Sequence, residues 1–322
     1  GTGDQQNAIM GASYLLDIGD WYNKNVSGSM IIQGRMLRTI RLGSKTEPIV
    51  ISIGSLTLSN CVSLQKLVLS RIATLAGTLN LSSCTHLQEV YADGTSLTQV
   101  VLTKGGGLRV VEFSAYNRYL SLSNYPLLTT EGVGIDSCKS AITDFFVVDC
   151  PLLKPMQLLV DIMDAQSGQG NDHALKRIRA VGFEETYYSS GMLDKLAKMA
   201  DGSYEGLSSD GIAGEDPLPV LDGTLNIYAD VYEDSINALR NSFSRLVLNI
   251  KGNYYVRFKD PEFQRLVVAK WSTDGVGVTQ AKLNAITTFP RGVCEGNVGV
   301  VDLSDFGNKF VSCNIMEYSV FE

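Results

Sequence analysis

Apolar residues recur in short, regular patterns along the first half of the chain. The spacing L-x-x-L-x-L, with conservative exchanges, fits Leu64-Leu67-Leu69, Leu87-Val90-Ala92, Leu97-Val100-Leu102 and Leu108-Val111-Phe113. Looser copies lie at Ile142-Phe145-Val147 and Leu175-Ile178-Ala180. Between them run the alternating segments "LTL" at 56–58, "LNL" at 79–81 and "LSL" at 120–122. Alternation over three to five residues predicts short strands with one face buried. The stretch "LSNCVSLQKLVLS" at 58–70 returns 23 residues later as "LSSCTHLQEVYAD" at 81–93, with Leu58, Cys61, Leu64 and Gln65 recurring as Leu81, Cys84, Leu87 and Gln88. Strands this short, separated by tight "SNC", "SSC" and "GGG" corners, do not hold together as independent hairpins. Stacked as coils about 4.8 Å apart, they share one continuous core. The pattern therefore predicts a solenoid of short parallel strands.

This setting gives the cysteines a role. Cys61, Cys84 and Cys150 each stand three residues before a leucine (Leu64, Leu87 and Leu153), Cys138 lies in the similar corner "DSCKSAIT", and Tyr125 takes the same slot before Leu128. A free cysteine packs as a small hydrophobe. The reading is a ladder of structural corners, with disulfide or metal use as the alternative.

From about residue 154 the period changes. "KPMQLLVDIMDAQ" has Pro155 near a helix start and Leu158, Leu159, Ile162 and Met163 on one face. "LKRIRAVGF" at 175–183 reads as a strand, and Leu193, Leu196, Ala197 and Ala200 form a helical stripe. A long loop follows at 202–223. "TLNIYA" at 224–229 and "LVLNI" at 246–250 are predicted strands, flanking a helix at 233–243 that buries Ile236, Leu239 and Phe243. Helix–strand units in succession imply parallel strands with helical crossovers. Either the same sheet continues with helices on its outer face, or a separate small α/β domain begins. The last stretch carries a short helix around Phe263, Leu266, Val267 and Trp271, a tight loop "STDGVGV", and a second helix beginning at Thr279. The expected organisation is a cap or lead-in segment at 1–50, leucine-rich coils at 51–153, helix–strand repeats at 154–251, and a small helical and irregular module at 252–322. The fold class is α/β.

The 322 residues are 44% hydrophobic, enough for a substantial core. Net charge is −7, with no basic stripe, which argues against a nucleic-acid partner. No run of about 18 apolar residues occurs, so no membrane insertion is expected. The amino terminus lacks an initiator Met and a signal-peptide pattern, and reads as a fragment or processed product of a larger parent chain. The six cysteines form no C-x-x-C pair, and the two histidines, His86 and His173, have no metal-ligand spacing.

The Cys-x-x-Leu-x-x-Leu-x-Leu corner at 61–69, with its 23-residue step, resembles the BspA-like class of bacterial surface leucine-rich repeats. "NLSSCTHLQEVYADGTSLTQVVLTKGGGLR" at 80–109, "LSLSNYPLLT" at 120–129 and "LDGTLNIYADVYEDSINALRNSFSRLVLNI" at 221–250 resemble large repeat proteins of the phage tail or virion type from gut bacteria and their phages. The resemblance spans residues 50–322. It implies a leucine-rich-repeat solenoid and, near 262–289, a calcium-type loop. This chain departs from such a loop at Ser272, Val276 and Lys282–Leu283, leaving Asp274 as the one fitting ligand, so a structural remnant without calcium is expected.

There is no P-loop and no G-x-S-x-G elbow; "SGQG" at 167–170 and "KGGGL" at 104–108 read as glycine corners. The acids Asp230, Glu233 and Asp234 suit a helix start, and Glu184–Glu185 a solvated strand end, with paired-carboxylate chemistry as the alternative to each. His86 reads as exposed in a turn, and His173 as a loop or strand-start residue. No catalytic residue, metal site or cofactor is assigned. Aromatic and basic residues interleave at Tyr116, Arg118 and Tyr119, and at Tyr254, Tyr255 and Arg257. These are the candidate interaction surface, because tyrosine offers contact area at low entropic cost; the alternative for the second set is an edge strand half in the core. The expectation is a non-enzymatic structural or adhesive module, set in a tail-associated phage virion. Its partners would be virion proteins, other domains of the parent chain, or a host surface protein or glycan. A bacterial cell-surface adhesin is the second reading, and a polysaccharide-cleaving tail enzyme the third.

Overall fold

A residue at an inward position of a short strand is buried only if neighbouring strands cover it, so the repeats must pair with one another. In the computed structural model they do. The described residues are 7–10, 14–17, 26–46, 51–168, 173–204, 206–209, 217–289, 300–301, 303, 306, 312–313 and 320–321. The chain is α/β, with many short parallel strands and few helices. It divides into two compact units, 1–184 with 205–223 and 185–204 with 224–322.

In the first unit the chain alternates between two rows of strands. One row is a six-stranded sheet of Leu15–Asp17, Thr39–Arg41, Lys66–Val68, Glu89–Tyr91, Val110–Glu112 and Val133–Gly134, each parallel to the next. The 23-residue echo is its register, for Lys66, Leu67 and Val68 lie beside Glu89, Val90 and Tyr91. The central residues Ile40, Leu67, Val90 and Val111 are fully buried. Each buried aliphatic chain contributes roughly 1.5–3 kcal/mol. The other row runs through Val26–Gln33, Ile51–Ser59, Ala76–Asn80, Ser96–Val101, Tyr119–Ser123, Asp144–Val148 and the start of Arg177–Tyr187. The pairings within it are also parallel.

Two sequence readings change here. Leu97-Val100-Leu102 belongs to the second row, where Ser96–Val101 pairs with Ala76–Asn80, and Leu102 is only half-buried. In Ser96–Val101 the buried Leu97 and Val100 are three residues apart, across the register shift opposite Gly77 and Thr78, which reproduces the L-x-x-L spacing of the first row. Cys138 does not share the corner of the other cysteines. Cys61, Cys84 and Cys150 follow second-row strands, whereas Cys138 follows the first-row strand Val133–Gly134 and precedes Asp144–Val148.

The shared corner has a backbone cause. Asn60, Asn124 and Asp149, which immediately precede Cys61, Tyr125 and Cys150, have φ of 56°, 58° and 50°. Asn and Asp tolerate this left-handed region better than other residues with a Cβ. The chain then closes a turn in which Leu64, Leu87 and Leu153 donate their N–H to the carbonyls of Cys61, Cys84 and Cys150, at 3.2, 3.2 and 3.0 Å. At the Cys84 corner Asn80 acts through its side chain instead, accepting from the Ser82 N–H (3.0 Å) and hydroxyl (2.7 Å). Helix α1 (Pro155–Gln166) starts at a proline and buries Leu158, Leu159, Ile162 and Met163 as its periodicity predicts. Its buried Gln166 donates to the carbonyls of Lys139 and Ile142 and accepts from the Leu175 N–H.

In the second unit α2 (Gly191–Ala200) packs against α3 (Glu233–Ser242). The strands Val231–Tyr232 and Tyr254–Tyr255 pair in parallel. Helix α4 (Pro261–Trp271) begins at Asp260, whose carboxylate accepts from the Glu262 and Phe263 N–H groups, both at 2.9 Å. Helix α5 (Gln280–Asn284) follows Thr279. Phe258, Phe263, Val267, Val278, Leu283, Ile286 and Phe306 form a local core in this unit.

Candidate functional site

The second unit gathers polar side chains from two strands and from helices α2, α3 and α4. Tyr232 stands at the end of its strand, and Arg257 lays its guanidinium over that ring, 3.8 Å from the centroid. The same guanidinium holds Asp234 at the start of α3 in a two-nitrogen pair, Nε at 2.7 Å and Nη2 at 3.2 Å. Asp194 of α2 lies 3.8 Å from it. The Ser235 hydroxyl donates to Asp194 at 2.5 Å, linking α2 to α3. The Tyr232 hydroxyl donates to the Val276 carbonyl (2.8 Å) and accepts from Gln264 of α4 (3.0 Å). The Tyr255 ring lies 5.1 Å from that of Tyr232, and its hydroxyl donates to Asp274.

These contacts set the proton affinities. Burial pushes the Tyr232 phenol up to about 12, despite the opposing pull of Arg257. Burial, then the Asp274 carboxylate, pushes Tyr255 up as well. Burial also raises Asp194, against the hydrogen bond from Ser235 and the charge of Arg257. For Asp274 burial acts upward, but the Tyr255 hydroxyl, the Val276 N–H and Ser272 outweigh it and hold the carboxyl below its usual value. Asp274, the one remaining calcium-type ligand, is thus turned to protein donors. It accepts from Ser272 Oγ at 2.8 Å and the Val276 N–H at 2.9 Å. Among the described residues no group of three or more His, Cys, Asp or Glu is placed to hold a metal ion.

A polar cleft of about 550 Å³ opens beside this network, lined by Glu233, Asp234, Asn237, Tyr254, Tyr255, Val256, Arg257 and Gln280. Of the residues read from the sequence as an interaction surface, Tyr254, Tyr255 and Arg257 line this cleft, each in a different way. Tyr254 is exposed, Tyr255 is buried in the network, and Arg257 is committed to its two aspartates. Asp194, Tyr232, Ser235 and Gln264 were missed. Their partners are far away in sequence, and only the acidic start of α3 hinted at the site. Asp230, the other acid of that run, accepts from the backbone and side chain of Asn253 and shapes a turn.

The other candidate set lies in the first unit. Tyr116 and Arg118 are exposed and Tyr119 is half-buried. Tyr119 sits beside Asp144, which in turn lies beside Arg177 and accepts from its Nε. The Arg177 guanidinium also lies 5.6 Å from the Phe146 ring. On the six-stranded sheet a second aromatic–charge group forms. Tyr91 has Lys45 and Lys66 near its ring at 4.8 and 5.2 Å, Lys66 pairs with Glu89 at 2.6 Å, and Lys45 pairs with Glu112 at 2.5 Å. Lys66 holds the Glu89 carboxyl below its usual value.

Cys61, Cys84, Cys138 and Cys150 are free and buried. Burial raises all four thiols, Cys84 to about 11 and Cys138 to about 12. Cys61 points its thiol at the Ser59 carbonyl (3.5 Å), and Cys150 at that of Val148 (3.4 Å). Of the remaining single residues, His86 is exposed, with Nδ1 2.9 Å from the Val62 carbonyl, and His173 is buried. Glu185 is not at a solvated strand end. It is buried on the strand and accepts from the Tyr187 hydroxyl, because alternate residues there face inward. No helix among the described residues is long and apolar enough to cross a membrane. No protein-family model matches the chain, and searches of curated proteins and of solved structures found no match.

Proposed function

We propose that the chain is a non-enzymatic structural and adhesive module built as a leucine-rich-repeat solenoid of the BspA-like, phage-tail type. The observation that carries this reading is the register of the six-stranded sheet. Equivalent residues of successive repeats lie side by side, with Leu67 beside Val90 and Val90 beside Val111, all buried. Such a stack holds fixed spacings along its length and presents a long face of outward side chains to a partner. In the second unit, tyrosines with raised pKa and carboxylates tied to Ser235, Arg257 and protein N–H groups suit holding a surface in place better than moving protons.

The setting follows from the sequence resemblance: a tail-associated virion protein that contacts other virion proteins and a host surface protein or glycan. The second reading is an adhesin of the bacterial cell surface. Mass spectrometry of purified phage particles and of cell-envelope fractions from the source culture separates the two. Peptides of this chain concentrated in the particles support the virion setting; peptides confined to the envelope of uninfected cells overturn it.

A further inference from the structure

We propose that the cleft of the second unit binds a neutral saccharide, with Tyr254 as the stacking platform; this rests on the adhesive reading and names its ligand class. The volume, about 550 Å³, lies within the roughly 300–1,000 Å³ of small-ligand sites. Tyr254 is 42% exposed at its rim, and a tyrosine ring presents a flat apolar face with a polar tip. A pyranose ring offers the complement, a C–H face for stacking and hydroxyls around its edge. Each hydroxyl both donates and accepts, so its site needs both kinds of group. Asn237 supplies a donor and an acceptor, Glu233 supplies acceptors, and Gln280, whose Nε2 donates to Asn284 (3.0 Å), lines the wall beside them. Glu233, Asn237 and Tyr254 have side chains without a partner among the described residues and line the same cleft.

Charge narrows the class. The Arg257 guanidinium is neutralised by its pair with Asp234, which leaves Glu233 as the net charge of the wall. An acidic saccharide would meet that carboxylate, whereas a neutral one would not be opposed. A basic peptide also suits Glu233, and its backbone groups match the Asn237 amide, so it is the competing occupant that the test includes.

The test uses the full chain, fluorescently labelled, on an array of neutral glucan, mannan and galactan oligosaccharides beside uronate-containing and sulfated ones, with a lysine-rich peptide as a further probe. The expected result is retention by at least one neutral class, weakened about tenfold by Tyr254→Ala and kept by Tyr254→Phe, with Glu233→Gln and Asn237→Ala each weakening it by a smaller factor. Tyr254→Ala binding like the unchanged chain, preference for acidic saccharides, or retention by the peptide alone overturns the assignment, as does retention by no neutral saccharide. Attachment to whole cells is measured in parallel. Cell binding that survives Tyr254→Ala leaves adhesion standing and removes the cleft from it; failure of the unchanged chain to attach removes the adhesive reading itself.

Discussion

A thiol that faces a protein interior loses the water that would stabilise its thiolate, and with it most of its reactivity. Cys84 and Cys138, pushed up to about 11 and 12, stay protonated across the physiological range. Iodoacetamide at about pH 8 should therefore label Cys61, Cys84, Cys138 and Cys150 only after the chain is denatured; rapid labelling of Cys84 in the native chain would show a reactive thiol. Because the corner uses cysteine for its size, Cys61→Ala should cost about 1 kcal/mol in denaturant unfolding and leave binding unchanged. Asn60, beside it, is chosen for its backbone. With φ at 56°, Asn60→Ala should cost about 1 kcal/mol while Asn60→Gly stays close to the native stability. The cysteine corners at 61, 84 and 150 were legible because the residues themselves repeat. The left-handed Asn60 and Asp149 before Cys61 and Cys150 were not, because a small polar residue in a turn has several meanings and only the backbone angle selects one.

At the scale of elements, the centre of each first-row strand is where covering is complete. Leu67→Ala should lose about 3 kcal/mol, against well under 1 kcal/mol for Lys66→Ala, whose pair with Glu89 is exposed. Gly182 is a second sensitive point, since its φ is +73° and a Cβ there would run into the Asp149 carboxylate. Gly182→Ala should cost about 2 kcal/mol or more by thermal unfolding. Between α2 and α3 the half-buried Asp194 makes stability depend on pH. Its folded pKa is raised, so the folded chain binds the proton more tightly than the unfolded one, whose carboxyl titrates near about 3.9. The chain should therefore gain stability relative to Asp194→Asn as pH falls from neutral through the folded pKa, with the gain complete below the unfolded value. Urea midpoints of both proteins across this range check the sign; a relative loss on acidification would mean that Ser235 and Arg257 dominate. Helices α1 to α3 were readable from their apolar stripes and from Pro155. The assignment of strands to two rows was not, because the register shift beside Ser96–Val101 gives Leu97 and Val100 the same three-residue spacing as the first-row repeats.

At the scale of the molecule, each unit carries its own kind of information. The first keeps equivalent residues in register along parallel strands, a feature written in the 23-residue echo before any coordinate is considered. The second builds its polar network from Asp194, Tyr232, Ser235, Arg257 and Gln264, which no linear spacing connects. That network fixes Arg257 and leaves Tyr254 and Glu233 facing a cleft, which is why the binding proposal rests on geometry more than on motif. The proposed function is attachment without chemical conversion. It is tested most directly by titrating the labelled chain onto intact cells of the source culture while assaying the supernatant for released saccharide. Saturable retention with no new reducing ends in solution is expected; absence of retention, or a steady release of oligosaccharides, would overturn the proposed function.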